Sequence, residues 1–524
     1  MMSRAGAGLE QCADDLAMKV LVSGATGNIG SKLIPRLVAA GHAVSCMARQ
    51  PICLERYQWQ GVEIHQADVL DLPSLSKVMQ GIEVAYYLIH SMADGVKGYI
   101  EQDIKAAENF SRSARQAGVQ RIIYLGGLGV CEHDLTSHLA SRQRVGEILR
   151  ASGVPVTEFR SAVIIGTGSA SFEIIRYLME RIPLILAPPS IQTYCQPIGV
   201  ENVLEYLTAC LLAPHSINKL YEIGGPDILS YQEMLREYAV IRKLKRKMVR
   251  IPGLSPKHAA RIMHLFTPIP IAYAEPLLDG LGSEVIVRDP SAQEDFKINL
   301  TRYAFSLRQA LQRTGSGEVE HYWRGNHPGL EPGVTHLDIE GMFIEQRRTT
   351  SSARPEMLFT AFAGIGGRHG WYYANWLWKL RGWVDKLAGG MSRPASRTNP
   401  DELHPGDILE GWSVEKVEPG YLIRLKFEMK APGPAWMQFE AQAYKDGGSL
   451  LILTSFFEPH GIGGLIYWYC LYPFHQWINK GLSKAIVRQA EDISHTSDAS
   501  SSNLGKTNNN IEANFIENNG RNPY

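Results

Sequence analysis

The sequence predicts a parallel α/β sheet with helices on both faces, followed by a smaller α+β domain. Three observations support this prediction. An apolar strand, a glycine-rich turn and a helix succeed one another from Met18, beginning with MKVLVSGATGNIG. Strand-like and helix-like segments then alternate to about residue 160, as they do in doubly wound sheets. From Gly411 to Glu458, alternating runs separated by short turns are typical of an antiparallel sheet.

Composition sets the class of protein and excludes several functions. The chain has 524 residues, of which 45% are hydrophobic and 20% charged, and this length suggests about two to four domains. Its formal net charge of +0 gives no electrostatic reason to expect a nucleic-acid partner. The seven cysteines are scattered and form no C-x-x-C pair. This usage predicts reduced thiols in the cytoplasm and no zinc site.

The glycine-rich turn has the spacing of a site for the pyrophosphate of a dinucleotide. Gly24 permits a tight turn, Gly27 allows close approach of the phosphate, and Gly30 lets the helix pack on the strand. The following helix offers free N–H groups and a partial positive charge to an anion. A purely structural glycine turn is the alternative. The predicted cofactor contacts of the turn are Gly24, Thr26, Gly27, Asn28, Ile29 and Gly30.

Six strands and four helices are predicted between Val20 and Phe159. Ligands of such sheets bind beyond the carboxyl ends of the strands, so the residues that follow each strand have the greatest weight. The predicted strands are Val20–Ser23, Ala43–Met47, Val62–Gln66, Val84–Ile89, Arg121–Leu125 and Val156–Phe159. The predicted helices are Ile29–Ala40, Leu72–Gln80, Ile100–Gly118 and Leu139–Ala151.

The residues that follow strands two to four indicate how a nucleotide would be held. Arg49 stands where an NAD enzyme usually has an acidic residue, so it favours the 2′-phosphate of NADP over NAD. Asp68, followed by Val69, could accept a hydrogen bond from adenine or could simply begin a turn. Past strand four, Leu88, His90 and Ser91 are expected beside the nicotinamide ribose, although His90 could equally be an ordinary loop residue.

Several motifs together resemble the atypical extended short-chain dehydrogenase/reductases. They are S-G-A-T-G-N-I-G in the turn, A-D-V after strand three and I-Y-L-G-G-L in strand five, and the resemblance covers roughly residues 18–325. The run from Ala85 to Met92 and the C-terminal half are similar to one NmrA-like subgroup. In that subgroup an NAD(P)H-binding domain of Rossmann type is fused to a DUF2867 domain. The resemblance implies a START/SRPBCC-like helix-grip fold for the second domain, and it implies no secure reaction.

The catalytic residues of that superfamily are missing. Its working members use a serine and a Tyr-x-x-x-Lys pair, in which the tyrosine exchanges a proton with the substrate. No tyrosine of this chain has a lysine four residues later. Alignment of the helix end with the family places His138 in the tyrosine position and Arg142 in the lysine position, whereas Gly126 or Gly127 replaces the serine. Either His138 and Arg142 form a substitute acid/base pair, or the catalytic set has been lost.

Two later segments are candidates for binding an apolar molecule. Ile251–Leu281 is apolar and proline-rich, and it would either line a substrate pocket or cover the sheet edge. In the C-terminal domain, helices near 355–362 and Tyr467–Ala490 flank the antiparallel strands. Aromatic and histidine side chains there could line a cavity between sheet and helix, although core packing is the more common role. These residues are Trp371, Tyr372, Trp376, Trp468 and His475.

The segment Gly461–Trp477 is apolar but too short for a confident membrane span. A buried or interfacial helix is the favoured interpretation, and contact with a membrane surface is the less favoured one. The predicted organisation is a loose leader over 1–17, the NAD(P)-binding domain over 18–325, a linker over 326–345, the DUF2867 domain over 346–494 and a disordered tail over 495–524.

Three functional hypotheses follow from the sequence. The first is an NADP-preferring oxidoreductase that acts on a small apolar molecule of isoprenoid, polyketide or lipid type, without a metal. The second is a non-catalytic NAD(P)H sensor or scaffold, which the missing catalytic set favours. The third is an epimerase or isomerase of nucleotide-sugar type that holds its nucleotide tightly. The sequence leaves the oligomeric state open.

Overall fold

A computed structural model describes the backbone of residues 17–49, 51, 54, 59–89, 99–129, 137–267, 271–315, 332–339, 341–366, 370–377, 380, 383 and 403–518. The chain divides into two compact units, Met1–Asn326 and His327–Tyr524. The predicted loose leader, except for residue 17, lies outside the described residues.

The first unit alternates strands and helices. Its strands are β1 (Lys19–Ser23), β2 (Ala43–Ala48), β3 (Val62–Gln66), β4 (Val84–Tyr87), β5 (Arg121–Gly127), β6 (Val156–Ser161), β7 (Ile164–Ile165), β8 (Leu184–Ala187), β9 (Tyr194–Cys195), β10 (Ile198–Gly199), β11 (Leu220–Ile223), β12 (Leu229–Ser230) and β13 (Lys247–Arg250). Its helices are α1 (Asn28–Ala39), α2 (Leu72–Val78), α3 (Tyr99–Ala117), α4 (Ser137–Ala151), α5 (Ala170–Arg181), α6 (Val200–Ala209), α7 (Tyr231–Ile241), α8 (Pro256–Phe266), α9 (Ile271–Gly280), α10 (Ser291–Phe296) and α11 (Tyr303–Gly315).

Seven of these strands form one parallel sheet in the order β11-β6-β5-β4-β1-β2-β3. Successive residues of a strand point to opposite faces. Val20 and Val22 accordingly enter one hydrophobic core, with α1 and α6, while Leu21 enters the other, with α3 and α4. The prediction of a doubly wound, Rossmann-like parallel sheet is confirmed.

The strand order creates a crevice beside β1. This strand pairs with β2 on one side and with β4 on the other, so the chain reverses its direction of progress across the sheet at this point. Crevices at such switch points are where doubly wound sheets bind ligands. Strand β4 ends at Tyr87, two residues before the predicted end at Ile89, and this shortening leaves Leu88 and Ile89 as loop residues at the crevice.

The second unit contains a seven-stranded sheet paired in antiparallel fashion, in the order β14-β15-β20-β19-β18-β17-β16. The predicted antiparallel sheet is therefore confirmed. Its elements are β14 (Gly333–Ile339), β15 (Met342–Ser351), α12 (Pro355–Ala363), β16 (Ile408–Leu409), β17 (Trp412–Glu418), β18 (Leu422–Phe427), β19 (Ala435–Ala443), β20 (Ser449–Phe457) and α13 (Gly461–Asn518).

Two boundaries of the second unit differ from the prediction. Strands β14 and β15 lie partly inside the predicted linker 326–345, which is therefore shorter. Strand β15 could not be predicted from the sequence, because Glu345 and Gln346 are polar yet buried. These two residues interrupt the alternation of hydrophobic and polar residues that indicates a strand. Helix α13 continues to Asn518, so the tail predicted to be disordered from residue 495 is helical over most of its length. Extending an existing helix is far easier than nucleating one, and no proline follows Pro473 within it.

Candidate functional site

A cavity of about 1270 Å³ opens at the crevice of the first unit. Every predicted cofactor contact that the structure describes borders it. These residues are Gly24, Thr26, Gly27, Asn28, Ile29, Gly30, Arg49, Asp68, Val69 and Leu88. His90 and Ser91 lie outside the described residues. The structure thus brings residues from four different loops together at one cavity. Their role in nucleotide binding stays a prediction.

The glycine turn leaves room for an anion. Gly24 has a φ of +74°, and a β-carbon on it would lie 2.6 Å from the carbonyl oxygen of Leu88. The amide of Gly27 donates to the carbonyl of Gly24 at 3.0 Å, which closes the turn. Helix α1 then begins without a side-chain cap and without an acidic residue in its first turn. The first residues of the helix, Asn28, Ile29 and Gly30, border the cavity, and the N-terminus of a helix suits a pyrophosphate.

The residues after β2 and β3 border the same crevice. Arg49 is exposed, and its backbone carbonyl accepts from the Gln66 side-chain amide at 3.4 Å. The Asp68 carboxylate accepts from the amide of Leu70 at 2.9 Å. Asp68 therefore forms a turn, which is one of the two roles predicted for it. The cap of α2 is Asp71, which accepts from the Ser74 amide at 3.3 Å. Asp68 also borders the cavity, so the turn does not remove it from the binding site.

Arg142 links the carboxyl ends of strands β4 and β5. Its guanidinium donates to the carbonyl of Leu125 and, at 3.4 Å, to the carbonyl of Ile89. The guanidinium also lies over the Tyr124 ring, 5.2 Å from its centroid, and the Tyr124 hydroxyl donates to the Arg142 carbonyl at 2.8 Å. Arg142 borders the cavity. It therefore fixes the ends of β4 and β5 and places a positive charge at the cavity wall.

For His138, the predicted partner of Arg142, the structure describes the backbone alone. His138 belongs to α4, but its side chain lies outside the described residues. Gly127, one of the two glycines predicted to replace the serine, packs against α4: a β-carbon there would lie 3.1 Å from Leu139 Cδ2. Tyr87 and Tyr124, whose hydroxyls feel the charge of Arg142, are poor proton donors, because burial raises the pKa values of both.

The far end of the cavity is apolar and comes from segments beyond the sheet. Helix α5 contributes Ile174, Ile175 and Leu178. The α8–α9 pair contributes Ala259, Met263, Leu277 and Leu278, and Ala259, Met263 and Leu278 pack against α5 in one small hydrophobic cluster. The proline-rich stretch Ile251–Leu281 was predicted as a pocket wall or an edge cover, and it borders the cavity. Helix α5 was missed, because its apolar face resembles ordinary core packing.

A few polar side chains interrupt this apolar end. Ser161, Ser169 and Tyr231 border the cavity. The Ser169 hydroxyl is already engaged: it donates to the carbonyl of Ile164 at 2.7 Å and caps α5. Burial raises the pKa of Tyr231, with the neighbouring Cys195 thiol adding to the shift. Tyr231 therefore stays protonated at neutral pH and is able to donate a hydrogen bond.

The aromatic residues predicted to line a cavity in the second unit have separate surroundings. Trp371 is 1% exposed in the core and its indole donates to the exposed Glu410 at 2.5 Å, while Tyr372 donates to the Ala361 carbonyl at 2.9 Å. Trp468 stacks on Phe457 in a different hydrophobic cluster. Core packing, the more common of the two roles predicted for this set, is the one that these contacts show for Trp371 and Trp468.

The remaining two residues of that set have different surroundings. Trp376 is 61% exposed, so it lines no enclosed space. The His475 ring lies 5.5 Å from the Trp468 ring, and burial lowers the pKa of His475 to about 4. His475 is thus a neutral packing residue at physiological pH.

Metal binding and membrane spanning can be compared with the described part of the chain. Within the described ranges, no group of three or more His, Cys, Asp or Glu side chains is placed to hold a metal ion. Among the helices that the structure describes, none is long and apolar enough to cross a membrane.

Two protein families match parts of the chain, one in each unit. The family described as NAD(P)H-binding matches residues 24–170. The family described as a protein of unknown function, DUF2867, matches residues 342–482. The first match covers the glycine turn, Arg49, Asp68 and Arg142.

Curated relatives resemble the first half of the chain. The (4-alkanoyl-5-oxo-2,5-dihydrofuran-3-yl)methyl phosphate reductase of Streptomyces griseus is 25% identical over 262 residues, 49% of this chain and 84% of the relative. The divinyl chlorophyllide a 8-vinyl-reductase of Arabidopsis thaliana is 23% identical over 225 residues, and the chain spans 54% of that enzyme's length.

Among solved structures, the Citrobacter sp. triphenylmethane reductase complexed with NADP(H) is similar with a TM-score of 0.46 and 20% identity, over 56% of this chain and 99% of that one. The geometry of the crevice and the two family matches lead to one conclusion. The chain consists of a Rossmann-like NAD(P)H-binding domain followed by a DUF2867 region.

Proposed function

We propose that this protein is an NADPH-dependent reductase of a bulky, uncharged, apolar substrate. The observation that supports this most strongly is the continuity of the cavity. Its walls pass from the glycine turn, along Arg142, to the apolar side chains of α5, α8 and α9. A nucleotide in the crevice would therefore have its nicotinamide end facing an apolar chamber.

The residues of the crevice fit the nucleotide. The uncapped start of α1 suits the pyrophosphate, and the Arg49 guanidinium suits the 2′-phosphate that distinguishes NADP from NAD. Asp68 lies where adenine would bind. When bound, NADPH would supply hydride to the substrate. The protein's share is to orient the two partners, exclude water through the apolar wall, and hold charge at Arg142.

A non-catalytic NADPH sensor is the second candidate, and one observation favours it. The Arg142 guanidinium already donates to the carbonyls of Ile89 and Leu125, as a structural clamp would. A nucleotide-sugar epimerase has less support, because the far wall of the cavity offers apolar side chains to a substrate that would be a charged, hydroxyl-rich sugar nucleotide.

We further propose that the DUF2867 region has a helix-grip plan of START/SRPBCC type. Leu482, Ile486 and Ala490 of α13 share one hydrophobic cluster with β18 and β19 of the sheet, as expected if the helix lies against a curved antiparallel sheet. This region would gather or shield the apolar substrate. We place the protein in the cytoplasm, in keeping with the free thiols of Cys46, Cys195, Cys210 and Cys470.

The experiment has two assays. The first follows NADPH absorbance with apolar quinones and apolar enones as substrates, and the second follows UDP-glucose by chromatography with the oxidised nucleotide present, because epimerisation causes no net change in nucleotide absorbance. Leu277→Gln places an amide in the apolar wall, and Leu212→Gln, at a side chain that is 60% exposed, is the matched control. We expect NADPH oxidation with an apolar compound and a KM about tenfold higher in Leu277→Gln alone, because a buried amide lacks a partner there. Tight NADPH binding without turnover of any substrate favours the sensor, and conversion of UDP-glucose favours the epimerase.

A further inference from the structure

The solvent side of α13 has an apolar stripe at its beginning. Ile466 is 59% exposed, Tyr469 62%, Phe474 57% and Trp477 47%. Their spacing places them on one side of the helix. Single exposed apolar residues are common on protein surfaces, but a contiguous aromatic stripe marks a surface that contacts another apolar phase.

The opposite side of the same helix is firmly packed. Trp468 stacks on Phe457 with their ring centroids 5.5 Å apart, and Leu482 and Ile486 are buried in the core of the second unit. The helix is therefore docked through one face while the aromatic stripe remains outside. The exposure of the stripe does not come from an undocked helix.

The stripe continues into basic residues. Lys480, Lys484 and Arg488 are exposed and follow Trp477 at helical spacing. The thirty residues Gly461–Ala490 contain no aspartate and no glutamate. This side of the helix is thus apolar at one end and purely cationic at the other, which complements a surface that is apolar inside and anionic outside.

A neighbouring segment adds aromatic surface. The Tyr373 ring packs on the backbone of Gly481, and its centroid lies 5.4 Å from that of Trp477. Three residues further along the chain, Trp376 is 61% exposed. Tryptophan and tyrosine are the side chains that favour the boundary between lipid headgroups and acyl chains.

We propose that this surface, defined by Ile466, Tyr469, Phe474, Trp477, Lys480 and Lys484, docks on an anionic lipid membrane with α13 lying in the plane of the interface. The apolar part, Gly461–Trp477, is about 25 Å long, less than the hydrocarbon core of a bilayer of about 30 Å. A second copy of the chain is a poorer occupant, because the same stripe on that copy supplies no acidic partner for the cations. The proposal is independent of the proposed reductase function.

The test is flotation of the full-length protein with vesicles of phosphatidylcholine alone and of phosphatidylcholine mixed with phosphatidylserine. We expect binding to the mixed vesicles that weakens as salt is added, because the cations are screened. Tyr469→Ser/Phe474→Ser and Lys480→Glu/Lys484→Glu should each lower the fraction bound at least about tenfold. Val240→Ser, at an apolar side chain that is 76% exposed in the first unit, is the matched control and should bind like wild type.

Light scattering, circular dichroism and calorimetric scans without vesicles complete the experiment. Each variant should have the same mass as wild type, and its circular dichroism and thermal transitions should match those of wild type, which shows that the second unit is folded. Absence of binding to both vesicles by a folded wild type overturns the proposal. So does equal binding by all variants. Self-association that disappears in Tyr469→Ser/Phe474→Ser, without vesicle binding, would assign the surface to a second copy instead.

Discussion

The positive φ of Gly24 and the nearby carbonyl of Leu88 set the width of the nucleotide crevice. Gly61 offers a matched comparison, because its φ of +73° is almost the same as the +74° of Gly24, but it has open space where a β-carbon would stand. Both Gly24→Ala and Gly61→Ala should lower the free energy of unfolding by about 1 kcal/mol through left-handed backbone strain.

Only Gly24→Ala should have effects beyond this backbone strain. Its new methyl group would press on the Leu88 carbonyl and narrow the phosphate site, so we expect an additional loss of about 2 kcal/mol of unfolding free energy and at least tenfold weaker NADPH binding. Urea unfolding and calorimetric titration measure the two effects. Equal behaviour of the two variants would contradict the geometry assigned to the turn.

Arg142 is expected to act on nucleotide binding through its two carbonyl contacts. Arg142→Met removes charge-assisted hydrogen bonds to Ile89 and Leu125, so we expect about tenfold weaker NADPH binding. Arg144→Met, two residues along the same helix at a side chain that is 61% exposed, should change binding less than twofold. Arg142→Lys should restore part of the affinity. If Arg142→Met binds like wild type, the clamp has no role in the nucleotide site.

At the scale of single residues, the sequence located the crevice well and the catalytic chemistry poorly. Gly24, Arg49 and Asp68 could be placed because each follows a strand, and the ends of parallel strands meet at one edge of the sheet. The carbonyl contacts of Arg142 could not be read from sequence, because they depend on where β4 stops. The role of the aromatic set around Trp371 could not be decided from sequence, because aromatic residues of a core and of a cavity wall have the same sequence signature.

Among the elements, helix α13 carries a histidine that makes stability depend on pH. Burial lowers the pKa of His475 from 6.5 to about 4, so the unfolded chain takes up a proton before the folded protein does as the pH falls. The contribution of the neutral ring is therefore complete above pH 6.5 and is lost progressively towards pH 4.

We expect the pH dependence to differ between wild type and His475→Gln. Over this window wild type should lose about 2 kcal/mol more unfolding free energy than the variant, less than for a fully enclosed ring because part of the imidazole meets water. Urea unfolding between pH 4 and pH 7 measures the difference, with His495→Gln, at an exposed position of the same helix, as the control. Parallel curves for wild type and His475→Gln would refute the assignment.

Elements with a regular hydrophobic pattern could be predicted from the sequence, whereas elements with an interrupted pattern could not. The buried strands of the first sheet, such as Val84–Tyr87, read as apolar runs, and the turns between β17 and β20 read as hairpins. Strand β15 was missed because its interior includes Glu345 and Gln346. The extent of α13 was missed because composition predicts disorder for a Ser/Asn-rich segment even where it continues an established helix.

For the whole molecule, the division at Asn326 predicts that nucleotide stabilises one unit selectively. Ligand that binds only the folded state adds about 2.7 kcal/mol of unfolding free energy at one hundred times its Kd. In calorimetric scans we expect two transitions, of which NADPH raises the Tm of only the one that belongs to the first unit. Lys480→Glu/Lys484→Glu, which alters the second unit alone, should leave that shift unchanged. A single transition, or equal shifts of both, would show that the units do not unfold separately.

The most direct test of the account is calorimetric titration of wild type and Arg49→Ala with NADPH and with NADH, with Arg302→Ala, at a side chain that is 81% exposed, as the control. We predict that wild type and Arg302→Ala bind NADPH more tightly than NADH. In Arg49→Ala, NADPH affinity should fall at least about tenfold while NADH affinity stays unchanged, because only NADPH carries the 2′-phosphate. Failure of wild type to bind either nucleotide would contradict the assignment of the crevice as a dinucleotide site.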